Sequence, residues 1–323
     1  MNTAANVQSA TDAIPGIFNE PHRSKQRWNF RRNWPLHALL LPGALLLLIF
    51  NYAPMLGLVM AFQDYKPWTG FAGSEWVGLQ HFRTMFEFDE VKQVIWNTLW
   101  IASFKIIFHL LVPLFFALML NEVRGMLFKR SIQTLVYLPH FLSWVILGGI
   151  LIDILSPSGG LVNQVIVFFG GEPVFFLGNG TWFRITLIAT DVWKDYGFGA
   201  IVFLAAIAGI NPELYEAALM DGANRWKQTL SVTLPSVLPI VIVVGTLSLG
   251  NILNAGFDQI FNLYNALVIS KGDIIDTYVY RAALLQGNFG FGAAVGVFKS
   301  VVSLVLIAIA YRMAYKFANY RIF

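Results

Sequence analysis

The sequence predicts an all-α integral membrane protein, and three observations carry that prediction: scarce charge, six long apolar runs, and a lopsided distribution of basic residues. Of 323 residues, 57% are hydrophobic and only 12% charged, with a mean hydropathy of +0.62. Soluble domains carry about 25% charged residues; half that leaves too little polar surface for a water-soluble globule of this length. The apolar runs cover residues 36–62, 93–120, 131–155, 182–209, 234–256 and 289–315, each reaching the roughly 20 residues needed to cross a bilayer as a helix. In lipid the backbone must satisfy its own hydrogen bonds, so only helices and closed barrels span it; runs that are continuous rather than alternating are helices. With the N-terminus inside, thirteen Lys and Arg fall on the inner side and five on the outer. That bias predicts both termini in the cytoplasm.

In chain order, residues 1–34 read as a polar cytoplasmic tail with Arg23, Lys25, Arg27, Arg31 and Arg32. It lacks the short apolar core and small-residue site of a cleaved signal, and is either disordered or a surface helix around Trp28–Trp34. Residues 35–323 form the membrane domain. Its outer segments, 63–92, 156–181 and 257–288, hold half of the 18 acids, and Trp68, Trp76, Trp96, Trp100, Trp144 and Trp182 lie where an interfacial aromatic belt falls. The net charge of +4 is explained by loop asymmetry and calls for no nucleic acid. With no cysteine, disulfides and thiolate metal sites are excluded.

Span 4 contains Asp191, Lys194 and Asp195. A mid-bilayer charge costs about 2.5–3.5 kcal/mol on the insertion scale, so such groups pair or face a cavity. Asp191 and Lys194 lie on one helix face at a spacing that permits pairing, either to orient the bundle or to line a path. Lys105 and His109 share a face of span 2, Lys299 enters span 6, and Asp153 lies near the outer end of span 3, where water reaches it. Span 5 and its exit carry Asn251, Asn254, Phe257, Asp258, Gln259 and Asn262, polar enough for interhelical hydrogen bonding or for a solute path. Gly292 and Gly296 form a G-x-x-x-G suited to close helix packing.

The segment 211–235 lies between spans 4 and 5 on the inner side. Asn211 is a good N-cap, Pro212 suits the first helical position and Gly222 a helix stop. A helix of about ten residues is expected over Pro212–Asp221. A second, capped by Asn224 and carrying Trp226 and Leu230, is expected to stop before Pro235. Helices this short are marginal alone and need a surface to dock on. Asp221 sits at the unfavourable end of the helix dipole, which marks it as a candidate contact to a partner.

This segment resembles the EAA loop of binding-protein-dependent ABC importer permeases. The matching residues are Glu216-Ala217-Ala218, then Gly222 after three residues, then Val232-x-Leu234-Pro235, with Asp221-Gly222-Ala223 and Trp226 as the common extension. LPGALLLLIFNYAPMLGLVMAFQDYKP (41–67), WVGLQHF (76–82) and DVWKDYGF (191–198) are similar to its MalF/LplB-like carbohydrate branch. The resemblance implies the type I permease fold and a bacterial inner-membrane location. It implies that Glu216 pairs with a basic residue in a cleft of a cytoplasmic ATPase, with Ala217, Ala218, Asp221, Gly222 and Trp226 in the same coupling element. It also implies two ATPase subunits carrying ATP and Mg, a second permease chain in a heterodimer, a periplasmic solute-binding protein and an oligosaccharide substrate. This chain binds no cofactor in that reading, being surrounded by membrane lipid. Sugar sites combine aromatic faces with amides and hydroxyls, so Asp191, Lys194, Tyr196, Asn251, Asn254, Phe257 and Asp258 are the candidate path residues. Lys105, Lys194 and Lys299 are compatible with an acidic oligouronide such as alginate; another small solute is the alternative.

Other classes fit less well. No G-x-x-x-x-G-K-[S/T] occurs, and the glycines of Gly287–Gly296 lack a following Lys-Ser/Thr at that spacing. No H-E-x-x-H or G-x-S-x-G occurs either, so catalysis is not expected of this chain. A secondary transporter would show two repeated halves, and the sequence has no such repeat.

Overall fold

The computed structural model describes residues 30–318; most of the expected tail, residues 1–29, lies outside them. The chain divides into two compact units at Leu56.

The described part of the first unit is helical, and its helical run continues past Leu56 to Phe62. Helix α1 (Phe30–Leu47) starts ahead of the expected Pro35 and continues through a wide turn (Leu48–Tyr52) into a tighter helix (Ala53–Phe62). The hydrogen-bond register changes where Pro54 removes a donor. Leu40, Leu46, Phe50 and Leu56 are all exposed, and they point in different directions around the helix, as expected of a segment whose solvent is hydrocarbon.

In the second unit the principal packing joins α2 (Asp89–Asn121) to α5 (Gly180–Ala208). These two long helices run parallel. Asn179 caps α5, its side chain accepting from the N–H groups of Thr181 and Trp182. Ile101, Ala102, Phe183, Leu187, Ala255 and Ile260 form one buried cluster at one end; Leu114, Ala117, Ala200, Phe203, Ile207 and Val237 form another toward the other. Small side chains in both clusters let the backbones approach, which is how helices gain contact in a membrane.

The run expected as one span over 131–155 is broken. Helix α3 (Met126–Tyr137) ends in a tight turn (Leu138–Phe141), and α4 (Trp144–Ile154) leaves at 101°. Pro139 lacks the N–H that would continue α3, and Ser143 opens α4 by accepting from the N–H of Ile146 at 3.4 Å. Where α3 passes α5, Gly197 leaves no room for a Cβ, which would collide with the side chain and carbonyl of Val136.

The segment after residue 224 also differs from expectation. Its helix does not stop before Pro235. Arg225–Gln228, a wide turn over Thr229–Thr233 and α7 (Leu234–Leu249) form one continuous run, the wide turn absorbing the donor lost at Pro235. Conversely, the run expected to reach residue 256 ends at Leu249. Residues 250–256 unwind, Gly256 has φ +94°, and α8 (Phe257–Leu263) follows. The last helix, α9 (Phe289–Ala318), is continuous. Of the G-x-x-x-G pair, Gly292 abuts Ala283, while Gly296 faces open space.

Outside the helices, β1 (Gln63–Asp64) and β2 (Glu75–Trp76) pair antiparallel, Gln63 opposite Trp76. The segment 257–288 is tied to the ends of the long helices. Asn97 donates to the carbonyls of Ser270 (3.2 Å) and Asp273 (3.1 Å), and the hydroxyl of Thr98 accepts from the N–H of Ile275 at 2.9 Å. Buried Asp273 accepts from Arg281, whose guanidinium it holds above its ordinary value against the opposing effect of burial. Lys299 pairs with Asp276 at 2.6 Å.

Among the described residues, four helical runs are each long and apolar enough to cross a membrane: His37–Phe62, Asp89–Asn121, Arg225–Leu249 and Phe289–Arg312. Two bent pairs, Met126–Phe141 with Trp144–Ile154 and Gly180–Ala208 with Pro212–Met220, meet the same requirement when each pair counts as one.

Candidate functional site

Two places concentrate the polar chemistry. The first is the segment after α5. Helix α6 (Pro212–Met220) is capped by Asn211, whose side chain accepts from the N–H of Glu213 at 3.1 Å. It ends one residue earlier than expected, with Asp221 as C-cap. Gly222 then takes φ +75°, a conformation costly for any side chain. The N–H of Gly222 reaches the carbonyl of Leu219 (3.0 Å), and that of Ala223 reaches Ala218 (2.9 Å); this paired closure satisfies the last carbonyls. Asn224 caps the next turn by accepting from the N–H of Lys227.

The segment is fastened at two points. The hydroxyls of Tyr215 and buried Thr233 share a 2.9 Å hydrogen bond, linking α6 to the start of α7. Arg225 pairs with Glu122 at the end of α2, at 3.0 Å. Between these fastenings the outer side is bare. No residue of α6 is buried, and Leu214, Leu219, Met220 and Trp226 are exposed, Met220 at 86%. Tyr215, Glu216, Leu219, Ala223, Asn224, Arg225 and Gln228 line a hollow of about 480 Å³. Among the described residues, the carboxylates of Glu216 and Asp221 enter no ion pair. This two-turn element thus presents bare apolar side chains and an unpaired carboxylate on one exposed side.

The second place is a cavity of about 370 Å³ beside the unwound end of α7. Lys105, His109, Asp191, Ser248, Asn251 and Asn254 supply its polar wall, and Ala102, Ile106 and Val244 its apolar wall. The sequence-selected Asp191, Asn251 and Asn254 thus come together. Lys194, Tyr196, Phe257 and Asp258 lie elsewhere: Tyr196 sets its ring edge-on to Phe116, Phe257 stacks on Phe261, and Asp258 is exposed.

The expected pair of Asp191 with Lys194 does not form. Asp191 instead accepts from His109 at 2.9 Å and pairs with Lys105 at 3.2 Å, both from α2. Lys105 is buried, and its ammonium also donates to the carbonyl of Ala255 (2.8 Å) and the amide oxygen of Gln259. Gln259 in turn donates to the carbonyl of Leu187 and the hydroxyl of Thr190, both at 2.8 Å. One turn on, Lys194 lies 3.6 Å from Asp195 and donates to the carbonyl of His140 at 2.7 Å, while His140 meets Asp195 at 2.8 Å and stacks on Phe198. Two Lys–Asp–His groups therefore stand side by side, the second gripping the elbow between α3 and α4.

Donor atoms of His109, Asp191 and Asp195 lie within 4.8 Å of one another. The ammonium groups of Lys105 and Lys194 already hold those carboxylates, so the donor set suits ion pairing rather than a metal. Sequence reasoning missed His140 because its partner lies 55 residues away; the adjacent Pro139, which forces the elbow, was the available signal.

The fold and these two places define a polytopic helical transport subunit with an exposed loop for an external partner. The chain belongs to the family of binding-protein-dependent transport system inner membrane components, which residues 109–318 match. It is 43% identical over 319 residues, 99% of each chain, to the polygalacturonan/rhamnogalacturonan transport system permease protein YteP of Bacillus subtilis. It is 44% identical to the protein LplB of the same organism, over 89% of this chain and 90% of that one. Among solved structures, a chain of a bacterial ABC transporter involved in import of the acidic polysaccharide alginate superposes with a TM-score of 0.83 at 40% identity, covering 89% of this chain and 97% of that one. A second structure of a bacterial alginate ABC transporter holds an alginate pentasaccharide-bound periplasmic protein, and its chain matches with a TM-score of 0.82.

Proposed function

We propose that this chain is one permease subunit of an inner-membrane ABC importer that carries an acidic oligosaccharide, handed over by a periplasmic binding protein, into the cytoplasm. The observation that carries this reading is the exposed α6 with unpaired Glu216, fastened to both α2 and α7. An ATPase that grips α6 can move two long helices at once through Tyr215–Thr233 and Arg225–Glu122. In this reading the chain has six spans. α5 is about 43 Å long and crosses alone, leaving α6 on the cytoplasmic side, while α3 and α4 form one bent crossing. The basic-residue bias then puts both termini in the cytoplasm. One such bundle supplies half a pathway, and a second permease chain completes it. Two ATPase subunits supply ATP hydrolysis, with ATP and Mg bound there.

The acidic character of the sugar is supported by what the similar transporters are named for, not by free lysines. Lys105, Lys194 and Lys299 each have an internal acceptor, which removes them as loose cationic sites. The amides of Asn251 and Asn254, exposed beside the cavity, suit sugar hydroxyls. Vesicles containing the assembled transporter and its binding protein are expected to accumulate labelled oligogalacturonide or alginate oligomers in preference to neutral maltooligosaccharides. Asn254→Leu is expected to lower that uptake about tenfold at unchanged expression, the loss of one or two hydrogen bonds. Uptake by Asn254→Leu at the parent rate would remove the cavity from the path, and preferential neutral-sugar uptake would overturn the substrate class.

A further inference from the structure

A second groove lies on the outside of the α2–α5 pair. Its volume is about 380 Å³, and its walls are the side chains of Trp100, Phe104 and Phe108 on α2 and Ile185, Ile188, Ala189 and Val192 on α5. Every lining residue is apolar or aromatic. Ile188 and Val192 are buried and form its floor, while Phe104, Phe108 and Ile185 are exposed along its rim. From Trp100 to Phe108 it follows two turns of helix, about 12 Å, close to the ~15 Å depth of one leaflet's hydrocarbon.

One end of this groove is cationic. The guanidinium of Arg184 lies over the ring of Trp100, 4.9 Å from its centre. Its Nε donates to the carbonyl of Lys271 and its Nη2 to the side-chain oxygen of Asn97. That uses two of five N–H donors. The exposed ammonium of Lys271 donates to the hydroxyl of Thr181, one turn before Arg184. Among the described residues, neither cation enters an ion pair. Lys105, Lys194 and Lys299, which lie deeper in the spans, all do. Trp96 and Trp182, exposed at this level of the two helices, fit the interfacial belt.

We propose that this groove is a binding site for an anionic phospholipid, one acyl chain lying along Trp100–Phe108 and the phosphate between Arg184 and Lys271. The chemistry matches at both ends. A row of apolar side chains takes a hydrocarbon chain, and two uncompensated cations at the interface take a phosphodiester that carries net negative charge. A transmembrane helix from a neighbouring subunit could fill the apolar part but would need acids of its own at the interface to match both cations.

The test uses the assembled transporter in phosphatidylcholine vesicles containing a trace of photoactivatable phosphatidylglycerol or photoactivatable phosphatidylcholine, with labelled peptides mapped by mass spectrometry. Peptides bearing Trp100–Phe108 and Ile185–Val192 are expected to carry about tenfold more phosphatidylglycerol than phosphatidylcholine adduct. Arg184→Gln combined with Lys271→Gln is expected to bring the two lipids to parity. Ala189→Trp, which fills the groove and keeps both cations, is expected to abolish both adducts there, and it serves if the charge variant fails to assemble. Equal labelling by the two lipids, a preference that survives loss of both cations, or cross-links from the groove only to a neighbouring subunit would each overturn the proposal.

Discussion

Glu216→Lys is expected to release the ATPase subunits from the permease and to abolish ATP-coupled uptake, while the permease itself stays folded. The folding half follows from the structure: Glu216 is exposed, and no side-chain hydrogen bond or ion pair inside the described chain depends on it. The assembly half follows from charge reversal at an interface. Placing an ammonium where a partner's cation expects a carboxylate replaces attraction by repulsion, and losing a buried charge pair costs about 2–5 kcal/mol, or roughly thirtyfold to several thousandfold in affinity. Co-purification of the ATPase with tagged permease reads the first effect, uptake into vesicles the second, and thermal unfolding of the permease alone serves as the control. Leu219→Ala and Met220→Ala are expected to weaken the complex less, since each shortens an apolar contact and leaves the charge in place. Asp221→Asn is expected to weaken it too if a partner cation faces that C-cap. A Glu216→Lys complex that co-purifies and transports at the parent level would end the reading of α6 as the element the motor grips.

Much of this was legible because membrane and helix chemistry are local. The low charge, the length of the apolar runs, and the Asn211-Pro212 and Gly222 signals at the two ends of α6 depend on neighbouring residues, and α6 formed within one residue of where those signals put it. Failures came where a local rule met a distant partner. Nothing within one turn of Asp191 reveals that its cation is Lys105, 86 residues earlier, because Lys194 offers an equally good spacing on the same helix. The choice is made by the parallel packing of α2 on α5, which presents Lys105 and His109 to Asp191 and leaves Lys194 facing the elbow at His140. The breaks at 138–143 and 250–256 were hidden by hydropathy, which records that a run is apolar and not that its backbone turns. Pro139 and the Gly250–Gly256 interval mark both breaks once geometry is considered. The β1–β2 pair was invisible for a simpler reason: two residues per strand carry no periodicity.

Asp191→Leu is expected to be the most destabilising single substitution in the membrane interior, and its rescue separates structure from transport. The substitution removes a carboxylate that accepts from His109 and neutralises Lys105. The ammonium is then left buried with only the carbonyl of Ala255 and the amide oxygen of Gln259. Breaking a buried pair on one side costs about 3–5 kcal/mol because the surviving charge is uncompensated. Removing both charges does not carry that cost. Lys105→Met together with Asp191→Leu is therefore expected to be more stable than the sum of the two single changes, with about 1–3 kcal/mol still lost for each acceptor that Lys105 leaves without a donor, the carbonyl of Ala255 and the amide oxygen of Gln259. Thermal unfolding of the four members of this cycle measures the coupling; a double variant as unstable as the sum of the singles would show that the two residues do not act as a pair. Uptake then asks a different question of the same proteins. Asp191 also belongs to the polar wall of the cavity, with Asn251 and Asn254, so the refolded double variant is expected to remain slow in transport. Transport at the parent rate would assign the Lys105–Asp191–His109 group to holding α2 against α5 alone, leaving the sugar path to the amides at the unwound end of α7.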